Sequence, residues 1–179
     1  MRYLLQQPIR NDRTTQSLSL EGNGAMDRNR IEVYAQGGSL FRKAYEGLTR
    51  EDLLAHPVPG TWSLQQIAIH LMESDLIGGD RIKRVACMER PLLIGYDETA
   101  FSKLPGVDEL DVNAAIDVFD RHRQMIAVIL RRLPDEAFQR FGIHNEIGKV
   151  TLAEFIEKYI HHLEGHLEFV AKKRTLLGK

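Results

Sequence analysis

Cysteine is almost missing from this chain. Cys87 is the one example in 179 residues, so no internal disulfide can form and a disulfide-stapled secreted scaffold is excluded. Without a C-x-x-C partner, Cys87 reads as a small apolar residue rather than a nucleophile. An excess of either charge is also missing. There are 24 Lys and Arg against 25 Asp and Glu, a formal net charge of −1, which gives no basic footprint for nucleic acid. Nowhere do the apolar residues approach the run of about eighteen that a membrane span needs. The opening Met-Arg-Tyr-Leu-Leu-Gln-Gln-Pro turns polar too soon to read as a secretory leader. The expectation is a cytoplasmic protein with neither nucleic acid nor membrane as partner.

What remains is ordinary globular material. Apolar residues make up 43% and charged residues 27%, and the length suits one domain with a sizeable core. Residues 1–25 are rich in Ser, Thr, Gln, Asn and Gly without periodicity, and read as a polar N-terminal tail. The folded domain is expected over 26–179.

Within that domain, four stretches carry apolar residues at helical spacing. The first runs from about 27 to 48 on Ile31, Tyr34, Phe41, Tyr45 and Leu48, interrupted by Gly37 and Gly38. A loop over 49–61 follows, marked by Pro57, Pro59 and Gly60. Ser63 with Gln66 forms a capping-box signature for the second helix, which carries Leu64, Ile67, Leu71, Ile77, Ile82 and Val85 to about Glu89. His70 falls at the edge of its apolar face, and Gly78 and Gly79 form a second glycine pair. A long connection spans 91–110. Asp111 then caps a third helix whose stripe is Val112, Ile116, Phe119, Met125, Ile126, Ile129 and Leu133. His122 on its inner side reads as a core histidine or a partner to a ligand. After a loop over 134–150, Thr151 and Glu154 open the fourth helix, with the stripe Leu152, Phe155, Ile156, Tyr159, Leu163, Phe169 and Val170. Four such helices and no persuasive strand predict an all-α four-helix bundle.

Three of the seven histidines lie on the fourth helix. His162 and His166, four apart, sit about 40° from each other on the wheel, so both face inward one turn apart. His161 lies about 140° from His166, among Glu157, Lys158, Glu164 and Glu168, and reads as solvated. An inward pair at this spacing can chelate one metal ion through nitrogens at roughly 2.0–2.1 Å; equally, it can be two partly buried histidines bonded to other side chains. Leu163 stands where a zincin's glutamate would be, and that motif is excluded. Ligating imidazoles must be neutral, and a free histidine titrates near 6.5, so metal affinity is expected to weaken from neutral pH toward pH 5.

Gly60-Thr-Trp-Ser-Leu-Gln-Gln-Ile-Ala-Ile-His-Leu-Met-Glu-Ser-Asp75 resembles the second-helix motif of the DinB/YfiT-like superfamily, a Trp-Ser helix start with a histidine two turns on. His162-Leu-Glu-Gly-His166 resembles the family's His-x-x-x-His near the end of its last core helix, and the Gly-x-Val-Thr-Leu run before that helix is similar too. The resemblance covers about 27–175. It implies an up-down-down-up bundle, often a homodimer, holding a divalent ion (zinc or nickel in various members) on His70, His162 and His166. It also implies a metal-dependent enzyme acting on a small molecule, a hydrolase or a thiol-dependent S-transferase with a low-molecular-weight thiol as co-substrate. The rival reading is a metal- or ligand-binding bundle without turnover. Tyr159, Glu73 and Ser74 are candidate helpers near the histidines.

Overall fold

The structure is a computed structural model and describes residues 26–179, so the tail read over 1–25 lies outside the described residues. Four long helices form the body: α1 (Asn29–Tyr45), α3 (Leu64–Cys87), α5 (Val112–Arg132) and α6 (Leu152–Leu176). Two short helices, α2 (Arg50–Leu54) and α4 (Glu98–Phe101), lie in the connections.

The expected caps hold. The Ser63 side chain accepts from the Gln66 amide and the Thr151 side chain from the Glu154 amide, each with the reciprocal bond of a capping box. Asp111 accepts from Asn113 and Ala114. These bonds satisfy amides that a helix start leaves without partners. A third capping box, Thr49 with Asp52, starts α2 inside the stretch expected to be loop. Helix α1 stops short of residue 48, and the chain turns through Gly47 at φ 74, a left-handed conformation that glycine adopts without strain.

Helix directions follow from what meets at one end of the bundle. Strand β1 (Leu92–Leu93), just past α3, pairs in parallel with β2 (Phe141–His144), just past α5. The C-terminal ends of α3 and α5 therefore lie together. Helix α6 begins at that same end, after β3 (Gly148–Thr151), which pairs antiparallel with β2. Arg28, at the start of α1, donates to the Leu133 carbonyl at 2.8 Å, and Arg30 meets Glu157 at 2.6 Å. So α1 and α6 run one way and α3 and α5 the other, the up-down-down-up order. The small three-stranded sheet was not expected. Strands of two to four residues show too few alternations to register as a period in sequence.

Helices α1 and α3 each pack on α5 and α6. Most of the buried apolar side chains fall into two clusters, one around Ile82, Leu130, Phe138 and Phe155, the other around Phe41, Leu64, Phe119 and Leu163, with a small third of Ile69, Val107 and Ala115. Arg123 lies where the first two meet. It is 1% exposed, with its guanidinium 4.4 Å from the Tyr34 ring centre and 4.3 Å from that of Phe119. Its Nε donates to Asp75 at 2.7 Å and its Nη2 to the Tyr159 carbonyl at 2.8 Å, while His122 Nδ1 bonds the other Asp75 oxygen at 2.9 Å. His122 is thus a core partner, as its position suggested. Removing one member of a buried pair strands the other charge. Asp75→Ala is expected to lower the free energy of unfolding by about 3–5 kcal/mol in denaturant titration, and an unchanged midpoint would refute that role.

The glycine pairs belong to this layer. A Cβ on Gly37 would run into Arg123, on Gly38 into Asp120, on Gly78 into the Tyr159 ring, and on Gly79 into His122. Three expected core residues are exposed instead: Met125 at 69%, Ile129 at 40% and Phe169 at 46%. On the helical wheel Ile129 and Phe169 lie about 100° from the centre of their helix's buried stripe and Met125 about 140°, so all three face away from the core. Cys87, read as a small apolar residue, is exposed at the end of α3. No described helix is long and apolar enough to cross a membrane.

Candidate metal centre

Helices α3 and α6 bring His70, His162 and His166 together. One ring nitrogen from each lies within 4.8 Å of the other two. His70 Nε2 and His162 Nε2 are 3.0 Å apart, close to the roughly 3.3 Å between two nitrogens bound tetrahedrally at 2.0–2.1 Å. The rings stand 4.7–5.0 Å apart, centre to centre, and steeply inclined, so their nitrogens converge rather than their faces stacking. His161 is exposed and takes no part. Trp62, the one tryptophan, closes one side: its ring lies 4.8 Å from that of His70 and stacks at 6.3 Å on that of His166. The Ser63 cap that starts α3 fixes where this indole enters.

His70 is 3% exposed. Burial, then the neighbouring His166, pushes its pKa down to about 3. Burial alone pushes His166 down to about 4. His162 is held well below the usual range by burial first, and then by His166, His70 and the nearby Arg123 and Lys158. Desolvation disfavours each charged imidazolium, and each ring that charged would raise the cost for the others. All three are therefore neutral at pH 7, with lone pairs available.

The long connection over 91–110 crosses this region, fastened by side chains of α3 on both sides of His70. Gln66 donates to the Ser102 carbonyl at 3.1 Å, and Gln65 to the carbonyls of Val107 at 3.0 Å and Leu110 at 2.8 Å. Arg81 holds the Ile94 carbonyl at 2.6 Å. Between these ties, Asp97 caps α4 and places Glu98 with its carboxylate 3.8 Å from His70 Nε2. Glu98 is about half exposed, and its pKa is raised by partial burial and by Asp97 and Glu146. It is the site residue that sequence reasoning missed. Of the expected helpers, Ser74 is buried beside the Tyr96 hydroxyl, and Tyr159 accepts a bond from Arg81 at 3.2 Å. Glu73 is half-buried.

The DinB superfamily model matches residues 34–170. The chain belongs to the DinB superfamily. Its similarity to named members is modest but long. YfiT of Bacillus subtilis (strain 168) is 24% identical over 149 residues, covering 83% of this chain and 84% of that protein. OB0413 of Oceanobacillus iheyensis is 24% identical over 140 residues, covering 78% of this chain and 79% of its own. The solved structure of YfiT, described as a probable metal-dependent hydrolase with an unusual four-helix bundle topology, superposes with a TM-score of 0.80 over 84% of this chain and 86% of that one. The mycothiol-dependent maleylpyruvate isomerase superposes with a TM-score of 0.62 at 13% identity, over 78% of this chain and 58% of its own. These two likenesses establish a common bundle.

Proposed function

We propose that His70, His162 and His166 of this DinB-superfamily chain hold one divalent metal ion, zinc or nickel, and that the site is catalytic toward a small molecule. The observation that carries the reading is the convergence of three neutral imidazoles from two helices. Imidazole suits zinc and nickel alike, and the donor set fits such an ion without help from a thiolate. Three protein ligands leave a coordination position open, the pattern of catalytic rather than structural zinc sites. When bound, the ion supplies Lewis acidity that brings the pKa of a water or thiol down toward neutrality.

The chain's own residues do the rest. Trp62 shields one side of the imidazoles from water, and Arg123 holds the backbone of α6 at Tyr159, one turn before His162. Glu98 offers its carboxylate beside His70 as acceptor for the proton that a nucleophile must lose. Between the two family chemistries we favour thiol transfer, with a low-molecular-weight thiol as co-substrate. What supports it is the fold shared with a mycothiol-dependent enzyme; the hydrolase reading rests on the description of YfiT.

Metal-loaded and metal-free protein should be assayed against a panel of thiols with electrophiles, and against esters and amides without thiol. Thiol conjugation accelerated only by the loaded protein is the expected result. Hydrolysis without thiol would overturn the transferase choice and keep the centre. Full metal occupancy with neither activity would overturn the enzyme reading.

A further inference from the structure

Among the described residues two arginines are buried, and one of them has a carboxylate partner. Arg123 has Asp75. Arg81 is 8% exposed, and among the described residues no carboxylate pairs with it. It donates to the Tyr159 hydroxyl at 3.2 Å and to the Ile94 carbonyl at 2.6 Å. A guanidinium carries five N–H donors, so three remain for another acceptor. A desolvated cation without a counter-charge is expensive to keep, and such groups persist where something else supplies the charge.

A second orphan lies beside it. The Tyr96 hydroxyl is buried and makes no hydrogen bond of good geometry. Ser74 adjoins it, and Arg81, Tyr159 and Glu98 are within electrostatic reach. Burial raises its pKa to about 12, so at neutral pH it holds its proton and is a donor. The spare N–H groups of Arg81 and the Tyr96 hydroxyl thus share one place.

That place is in line with the histidines. On α3, positions 70, 74, 78 and 81 fall on one face, carrying His70, Ser74, Gly78 and Arg81. At 1.5 Å per residue, His70 and Arg81 are about 16 Å apart along the helix axis, and the arginine side chain leans back toward His70. Glu98 sits beside His70, and Tyr96 is two residues before it.

We propose that Arg81 and the Tyr96 hydroxyl seat the carboxylate of a small-molecule ligand whose other end reaches the three-histidine cluster. The planar fork of a guanidinium matches a carboxylate's two oxygens, and the phenol adds a third donor from the side. Desolvation strengthens all of these bonds. This deepens the reading of the centre as a small-molecule site by naming the ligand's charge, and the seat itself includes no metal ligand.

The test uses metal-free protein, so that no carboxylate can bind through an ion. Propionate, succinate and benzoate, with propionamide and benzamide as neutral counterparts, are titrated by saturation-transfer NMR. At least one carboxylate should bind saturably while its amide does not. Tyr96→Phe removes one hydroxyl and leaves both Arg81 bonds in place; it should weaken binding about tenfold. Arg81→Met should abolish binding, and Arg81→Lys, which keeps the charge and loses the fork, should fall between. No binding to wild type at tens of millimolar would overturn the seat, as would equal binding by Arg81→Met or equal binding of the amides. Metal content measured on the same preparations keeps the two readings apart. A wild type that takes up no ion sinks the metal centre and leaves the carboxylate result standing, while metal uptake without carboxylate binding does the reverse.

Discussion

Replacing His70, His162 or His166 with alanine is expected to cut affinity for a divalent ion by well over 100-fold, with His161→Ala unchanged. Loss of an outer partner of a ligand already costs roughly 10–100-fold, and here the ligand itself goes. His161 is the internal control, because it sits on the same helix and is exposed. Elemental analysis and competitive chelator titration, on protein carrying no metal-binding tag, would measure it. Undiminished metal in all three variants would refute the centre. The pH dependence differs from what free histidines would give. With His70 near 3 and His166 near 4 in the fold, protons hardly compete for the folded site at pH 5, so affinity should stay nearly flat from pH 7 to 5. The proton cost appears in folding instead. The unfolded chain takes up protons near pH 6.5 and the native state does not, so stability is highest above that pH and falls as pH drops toward the folded values. At 1.36 kcal/mol per pKa unit, the full window from 6.5 down to about 3 is worth on the order of 5 kcal/mol for His70 alone, of which about 2 kcal/mol falls between pH 7 and pH 5. Denaturant titrations of metal-free protein at pH 7 and pH 5 should show the loss, and His70→Ala should show less of it. Equal midpoints at the two values would refute it.

The helices were legible because their starts are written in local chemistry. Ser63 with Gln66, Asp111, and Thr151 with Glu154 each cap the helix that the periodicity predicts. The inward aim of His162 and His166 was legible for the same reason, since it needs only the wheel of one helix. His70 was harder. From its own helix it is a residue at the edge of an apolar face, and the resemblance alone nominated it; burial to 3% depends on Trp62 and α6 arriving from elsewhere. The buried layer of Asp75, His122 and Arg123 joins α3 to α5 and could not be read from either. Neither could the parts of the connection over 91–110, where no period exists. Its path is set by tertiary bonds from Gln65, Gln66 and Arg81 to backbone carbonyls, and these pair residues 13 to 45 positions apart. The same glycines that looked like helix interruptions are contact points for Arg123, Asp120, Tyr159 and His122, a role visible only once the partner is in place.

Glu98→Gln is expected to leave metal content at the wild-type level and to lower turnover by roughly 10²–10⁴-fold, the usual worth of a positioned general base. The case rests on placement. The carboxylate is 3.8 Å from His70 Nε2, while the three imidazoles stand as a group of their own without it. That puts Glu98 beside the cluster, where it can take a proton from whatever fills the open position. Its pKa, raised by partial burial and by Asp97 and Glu146, favours proton uptake over that of an ordinary surface glutamate. The connection that carries it is tied to α3 before and after, so glutamine, equal in size, should keep the position and lose only the basic oxygen. Glu98→Asp should recover part of the activity if proton acceptance is the function, because the base returns about one bond shorter. Three results separate the alternatives. A fall in metal affinity in Glu98→Gln would make it a ligand. Unchanged turnover would make it a solvated surface residue. Lost turnover with metal retained, and partial rescue by aspartate, would identify it as the base that neither histidine helix supplies, since α6 carries leucine where a zincin carries its glutamate.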